Sequence, residues 1–267
     1  MSANVSPGGR LAVIGTGPGS AEWMSPEVVA IVGDATDLVG YGPYLDLLGA
    51  LADGKHRHAS DNRQEIDRVR QALALAAEGC RVALVSSGDP GIFGMAAALF
   101  EVLERDGHAA WGNVEVVVAP GMSAMLAAAA RAGAPLGHDF CVISLSDNLK
   151  PWEVVEHRIS AAASADLVLV VYNPASSQRG WQLDRAKELL LAHRTPDTPV
   201  ILARNVGREG EAIRTTTLAA LAAGDADMRT LVIVGSTQTR LVPRADGGAW
   251  VYTPRRYPAD TDESVAE

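Results

Sequence analysis

The sequence predicts an α/β fold of two domains, whose sheets are mixed and mostly parallel. Short runs rich in Val and Leu, each ended by glycine or proline, alternate with longer segments in which apolar residues recur at helical spacing. A strand followed by a helix and then another strand favours parallel strands joined by helices. With 267 residues, 48% of them hydrophobic, the chain can bury one or two cores.

The first half of the chain carries the clearest alternation. Its helix after the first strand has Ser25 in the N-cap position and Pro26 at the first helical position. A second helix is predicted from Asp61 or Asn62 to a C-terminal Gly79. The predicted strands of this half are 11–15, 37–41, 81–87 and 114–120.

The second half repeats the alternation after a segment rich in glycine and proline. That segment, 131–140, is the predicted hinge, which gives domains at 1–136 and 137–257 and a frayed tail at 258–267. The predicted strands are 140–146, 165–174, 198–207, 229–236 and 249–254, and the predicted helices are about 151–163, 178–194 and 215–223.

Composition excludes several classes of protein. A net charge of −9 disfavours a nucleic-acid binder. The sequence has no apolar run of the length that a membrane helix needs, about 18 residues, and no early apolar run typical of a signal peptide, so a cytoplasmic protein is expected. Cys80 and Cys141 are far apart and lack metal-ligand spacing, so we expect no metal and no disulfide.

The turn after the first strand, GTGPGS (15–20), could be a dinucleotide-binding loop. The dinucleotide fingerprint requires Gly or Ala where this chain has Ser20, and Pro18 lacks the backbone N–H that could bind a phosphate. A tight turn and a loop lining another kind of ligand therefore remain open.

Two further turns, SSGDPGIFG (86–94) and APGMSAM (119–125), each lead from a strand into a helix. Asp89 and Ser123 lie where N-caps are expected, and Gly88 permits a conformation closed to other residues. Parallel sheets bind ligands at their carboxyl edge, so close approach of these backbones to a ligand is the alternative to a purely structural turn.

Together these turns indicate a family. GTGPGS, SSGDPGIFG, PGMSA and YNP occur in an order and spacing that resemble the tetrapyrrole methylases, the class III S-adenosylmethionine-dependent methyltransferases. The resemblance covers about residues 10–257. Longer blocks, ASDNRQEIDR (59–68) and LGHDFCVISLSDNLKPWE (136–153), resemble the ring-contracting branch of that family.

The resemblance implies a methyl donor, S-adenosyl-L-methionine, bound in the cleft between two α/β domains of a homodimer. It implies that carbon 17 of precorrin-3B is methylated and the macrocycle contracted to precorrin-4 in cobalamin synthesis. Relatives often carry Met near Tyr172, and REGEA (208–212) departs from the family wording. The donor-contacting positions map onto Pro18, Gly88, Asp89, Ile92, Ser123, Ala124, Tyr172, Asn173, Asn205 and Thr230.

The substrate would be held and rearranged by other residues. Migration of a ring carbon would benefit from an acid or base, for which Asp61 and Lys150 are the candidates. Cations that could hold substrate carboxylates are Arg63, Lys150, Arg204, Arg208 and Arg240. The predicted substrate-binding positions are Gly15, Gly17, Asn62, Arg63, Asn148 and Arg204.

Three alternatives remain from the sequence. One is another tetrapyrrole methylase, acting on cobalt-precorrin-3, on precorrin-4 or at carbon 11. A second is a diphthamide or ribosomal-RNA methyltransferase; the DNLKPWE block disfavours these and the carbon 11 enzyme. The third is a carrier that binds a tetrapyrrole or a nucleotide without turnover.

Overall fold

The structure, a computed structural model, describes residues 9–61, 64–175 and 180–257. The chain forms two compact units, Met1–Ala124 and Met125–Glu267. The division falls upstream of the predicted boundary at 136, because strand β6 (Gly133–Ala134) pairs with β13 (Ala249–Tyr252) of the second unit. The predicted tail at 258–267 lies outside the described residues.

The first unit is built on a five-stranded, wholly parallel sheet of order β3-β2-β4-β1-β5. Its strands are β1 (Arg10–Gly15), β2 (Asp37–Tyr41), β3 (His56–Ser60), β4 (Arg81–Ser86) and β5 (Glu115–Ala119). Its helices are α1 (Pro26–Asp34), α2 (Gly42–Asp46), α3 (Glu65–Ala77), α4 (Met95–Asp106) and α5 (His108–Trp111).

Both faces of this sheet are buried along its central strands β2, β4 and β1, as the strand sequences require. Along β1, Leu11 and Val13 join one apolar cluster, and Ala12 and Ile14 join the cluster on the opposite face. A parallel strand covered by helices on both sides has no polar face, so its sequence is a continuous apolar run.

Helix starts agree with the sequence in one case and differ in others. Ser25 caps α1, its hydroxyl accepting a hydrogen bond from the N–H of Val28 (3.2 Å), as predicted. Helix α3 begins at Glu65, later than predicted, so Asp61 does not cap it. The third predicted start, at Asp89, is described with the site.

The second unit has a five-stranded mixed sheet of order β10-β9-β11-β8-β7 and a three-stranded sheet of order β12-β13-β6. The remaining strands are β7 (Phe140–Ser144), β8 (Val168–Tyr172), β9 (Pro199–Arg204), β10 (Ala212–Thr217), β11 (Thr230–Val234) and β12 (Arg240–Pro243). The helices are α6 (Ala124–Ala132), which begins at the last residue of the first unit, α7 (Trp152–Ser164) and α8 (Trp181–Leu191).

The predicted helix at 215–223 is wrong. Residues Ala212–Thr217 instead form β10, antiparallel to β9. Three successive threonines (215–217) disfavour a helix because their branched side chains lose rotamer freedom there, and they suit a strand.

Candidate functional site

The loops after β1, β4 and β5 meet at one edge of the first unit's sheet. Strand β1 lies between β4 and β5, and all three run parallel, so their carboxyl ends are adjacent. Gly17 and Gly88 bridge two of the loops: the N–H of Gly88 donates to the carbonyl of Gly17 (2.7 Å), and the N–H of Gly17 donates back (3.2 Å).

Glycine is required in these loops because three backbones touch. A Cβ on Gly15 would lie 2.5 Å from the carbonyl oxygen of Gly88 and 2.6 Å from the nitrogen of Gly121. Gly17 has φ +78°, and a Cβ there would lie 2.7 Å from the Cβ of Trp23. Packing thus accounts for Gly15 and Gly17, and their predicted substrate contacts stay a prediction.

Asp89 does not cap α4, contrary to the sequence prediction. That helix begins at Met95 with Gly94 as its N-cap. One carboxylate oxygen of Asp89 accepts from the N–H of Gly91 (2.8 Å), and the other accepts from the N–H of Gly121 (3.1 Å). Asp89 therefore ties the loop after β4 to the loop after β5.

Ser123 immediately precedes α6, but its hydroxyl makes no capping bond. The side chain is buried, 2% exposed, and within the described ranges its Oγ has no hydrogen-bond partner. The N–H of Met125 donates instead to the hydroxyl of Tyr172 (3.1 Å). Buried polar atoms are normally hydrogen-bonded, so the Ser123 hydroxyl suits a polar atom of a ligand.

The remaining predicted donor positions of this unit lie in the same loops. Pro18 is buried, Ile92 is half-buried, and Ala124 is the first residue of α6. Sequence reasoning missed Phe93, which is 55% exposed and has φ +53°. A bulky residue in the left-handed region is strained, and such strain is concentrated at functional sites. The sequence gives no signal for this conformation.

The predicted donor residues of the second unit share one edge of its larger sheet. Strands β8 and β9 end there, and β11, antiparallel to both, begins there. Asn173 and Asn205, the residues that follow β8 and β9, have φ +51° each. The amide nitrogen of Asn173 donates to the hydroxyl of Ser144 (2.9 Å), which fixes the turn after β8.

Thr230 and Arg204, at the same edge, are both bonded to Asp227. The hydroxyl of Thr230 donates to Oδ1 of Asp227 (2.8 Å), and Nε of Arg204 donates to Oδ2 (3.1 Å). Burial alone would raise the pKa of Asp227, but these bonds and one from the N–H of Arg229 lower it. Arg204 thus already has a carboxylate partner, and its contact with substrate stays a prediction.

The loop after β7 carries Asn148 and Lys150. Asn148 is exposed, and Lys150 is half-buried with no carboxylate partner among the residues that the structure describes. Burial, and secondarily repulsion from Arg158, lowers the pKa of Lys150. A lowered pKa brings a lysine closer to acid–base use near neutral pH.

The remaining residues predicted to act on the substrate lie on different elements or outside the described residues. Asp61 is exposed, and its N–H donates to the side-chain oxygen of Gln64 (3.3 Å). Arg240 lies in β12, in the three-stranded sheet. Arg208 follows β9, where its N–H donates to the carbonyl of Asn205 (2.9 Å). Asn62 and Arg63 lie outside the described residues.

The described residues contain neither a membrane-crossing helix nor a metal-binding cluster. Within the described ranges, every helix is too short or too polar to cross a bilayer. The described side chains include no group of three His, Cys, Asp or Glu residues arranged to hold a metal ion.

Residues 10–222 match the family described as Tetrapyrrole (Corrin/Porphyrin) Methylases. The chain therefore belongs to the tetrapyrrole methylase family, as the sequence motifs predicted, and the class of enzyme is a methyltransferase. It is 53% identical to precorrin-3B C(17)-methyltransferase from Sinorhizobium sp over 249 residues, which are 93% of this chain and 97% of that protein.

Solved structures agree with this assignment. The crystal structure of the methyltransferase CobJ matches with a TM-score of 0.86 at 48% identity, covering 92% of this chain and 100% of that one. Uroporphyrin-III C-methyltransferase from Thermus thermophilus, solved with S-adenosylhomocysteine, matches with a TM-score of 0.63 at 25% identity, covering 85% and 92%. The predicted fold class, two α/β domains with mixed, mostly parallel sheets, is confirmed.

Proposed function

We propose that this chain transfers a methyl group from S-adenosyl-L-methionine to carbon 17 of precorrin-3B and contracts the ring to precorrin-4, in cobalamin synthesis. The observation that carries the proposal is the 53% identity, over 93% of this chain, to a relative named for that methylation. The products are S-adenosyl-L-homocysteine and a tetrapyrrole one methyl group heavier. In this tetrapyrrole, carbon 20 has left the ring and forms part of an acetyl substituent.

The loops of the first unit supply the first part of the donor site. We assign donor contacts there to Pro18, Gly88, Ile92, Ser123 and Ala124, and we assign to Asp89 the role of holding the loops together. The unpartnered, buried hydroxyl of Ser123 supports this assignment, since a polar atom of the donor would satisfy it.

The second unit supplies the rest of the donor contacts, from Tyr172, Asn173, Asn205 and Thr230. Their common position at one sheet edge supports this grouping. The hydroxyl of Thr230 is bonded to Asp227, so the contact proposed for Thr230 is through its methyl group or its backbone. The donor carries an activated sulfonium methyl, and the protein has to align it and exclude water.

Substrate contacts are proposed for the loop after β7 and for the segment at Asp61. The half-buried Lys150 has no carboxylate partner among the described side chains, so it can bind a carboxylate of the macrocycle or move a proton during contraction. Asp61, exposed after β3, is the second proton-transfer candidate. Asn148 and Arg204, with Asn62 and Arg63, remain proposed substrate contacts.

Incubation of the pure protein with precorrin-3B and labelled donor tests this proposal. We expect S-adenosyl-L-homocysteine and a methylated product in which NMR shows the acetyl group that ring contraction creates. Binding without S-adenosyl-L-homocysteine would indicate a carrier. Turnover of a cobalt-containing tetrapyrrole alone would assign the chain to another branch of the family.

We propose further that the protein is a cytoplasmic homodimer that binds neither nucleic acid nor membrane. The hairpin of β12 and β13 supports self-association, because it exposes Leu241, Val242 and Trp250 on adjacent strands. The net charge of −9 argues against a polyanionic partner. Sedimentation equilibrium should give twice the chain mass, and a monomer at micromolar concentration would refute the dimer.

A further inference from the structure

Arg68, in α3, is a buried cation without a carboxylate partner among the residues that the structure describes. Its side chain is 3% exposed, and no acidic side chain of the described ranges makes a salt bridge with it. Burial lowers the pKa of Arg68, and the nearby carboxylate of Glu65 offsets this only in part. Burying a charge without a paired countercharge costs free energy, so such a residue needs a reason to be there.

The three contacts of Arg68 suggest that reason. Its Nε donates to the hydroxyl of Ser60 (2.8 Å), and Nη2 donates to the carbonyl of Asp61 (2.6 Å). Its Nη1 lies 3.5 Å from the sulfur of Met95. Ser60 ends β3, and Met95 begins α4, the helix that follows the loop of Gly88 and Asp89.

One guanidinium thus connects two segments of the first unit that carry predicted functional residues. Two charge-assisted hydrogen bonds, one to the hydroxyl of Ser60 and one to the carbonyl of Asp61, hold this segment where β3 reaches the carboxyl edge of the sheet. The planar fork of Arg can donate in both directions at once, which the single ammonium of Lys cannot reproduce.

We propose that Arg68 is a positioning residue, which fixes the backbone at Asp61 and so places the Asp61 carboxylate for ring contraction. The catalytic consequence rests on the proposed function. The ordering of the backbone at Asp61 does not depend on the proposed function, and it can be measured separately.

Hydrogen exchange tests the ordering. In Arg68→Met and Arg68→Lys, we expect faster amide exchange in the peptide 58–61 than in the native protein, with no change in β4 (Arg81–Ser86). Arg70→Met is the matched control, since Arg70 lies on the same helix but pairs with Asp106 at 3.0 Å. Unchanged exchange at 58–61 in a folded Arg68→Met protein would overturn the proposal.

Turnover tests the catalytic consequence. In Arg68→Met we expect kcat for the contracted product to fall by about 100-fold, because a small misplacement of a reacting group has an effect of this size. The dissociation constant of S-adenosyl-L-homocysteine should stay unchanged. Ser60→Ala, which removes one acceptor and leaves the cation, should show a smaller change in the same direction, so the test does not depend on how well Arg68→Met folds.

The outcomes separate the two claims. Faster exchange at 58–61 together with a native kcat would overturn the positioning role. Absence of any contracted product from the native protein would refute the proposed function, and exchange would still report whether Arg68 orders the backbone.

Discussion

At the scale of single residues, the polar groups of the candidate site perform different tasks from those that their sequence positions indicate. Asp89 occupies an apparent N-cap position, yet its carboxylate binds the N–H groups of Gly91 and Gly121. Ser123 occupies another, yet its hydroxyl is unpartnered within the described part of the chain. The sequence locates both residues, but one partner of Asp89, Gly121, lies in a loop 32 residues away and is brought to it by the sheet order.

Asp89→Ala should lower donor affinity as well as stability. Loss of two charge-assisted hydrogen bonds should cost about 2 kcal/mol of unfolding free energy and leave the loops of Gly88 and Gly121 free to separate. Calorimetric titration with S-adenosyl-L-homocysteine should show about tenfold weaker binding, equal to ~1.4 kcal/mol.

The matched control is Asp246→Ala, since Asp246 makes the same kind of bond to the N–H of Gly248 (3.0 Å) in an exposed turn. It should leave donor affinity unchanged. If Asp89→Ala were destabilised and still bound the donor with native affinity, Asp89 would be a structural residue only.

Ser123→Ala should leave the free protein as stable as the native one, or more stable, because it removes an unsatisfied buried hydroxyl. Donor affinity should fall by about fivefold, the worth of one hydrogen bond to a ligand. Ser25→Ala, which removes an established N-cap, should do the reverse: a loss of about 1 kcal/mol in stability and native donor affinity. The opposite pattern, with Ser123→Ala destabilised and binding normally, would refute the contact.

At the scale of elements, the sequence predicts the parallel strands well and the irregular segments poorly. The strands near 11–15, 37–41 and 81–87 each contain a run of buried apolar residues, and each is found within a residue or two. Strand β3, HRHAS, is an edge strand with exposed polar side chains, so no apolar pattern marks it. The sequence pattern around β10 predicts a helix, whereas its threonines and its pairing with β9 make it a strand.

At the candidate site, the glycines also show what the sequence predicts and what it does not. Their clustering predicts close backbone contact, but not that Gly15 and Gly121 face one another across the end of β1. Likewise, the sequence names Arg204 and Thr230 as site residues and gives no sign that Asp227 engages both. Contacts of this kind depend on register between distant strands.

Gly121→Ala should disrupt the meeting of the three loops. The new methyl group would overlap the backbone of Gly15 and Gly88, and overpacking of this kind costs about 1–3 kcal/mol. Gly33→Ala is the control, because Gly33 lies in α1 with open space around a Cβ, and it should stabilise by about 0.5–1 kcal/mol. Urea denaturation measures both. Equal stabilities for the two variants would contradict the close packing of the loops.

At the scale of the whole molecule, two α/β units carry their predicted donor residues at defined sheet edges. The first unit presents three glycine-bearing loops at the carboxyl edge of a parallel sheet, and the second presents Tyr172, Asn173 and Asn205 at one edge of a mixed sheet. Neither edge contains a nucleophile–base pair among the described residues, and methyl transfer from a sulfonium does not need one. Ring contraction does need proton transfer, for which Asp61 and Lys150 are proposed.

The central claim is therefore that one chain performs both methylation and contraction. The most direct test is the NMR spectrum of the product formed from precorrin-3B that is ¹³C-labelled at ring carbon 20, with S-adenosyl-L-methionine as donor. The account predicts that the label appears in an acetyl group and that carbon 17 carries a new methyl group. A product that is one methyl group heavier, with the label still inside an intact macrocycle, would contradict it.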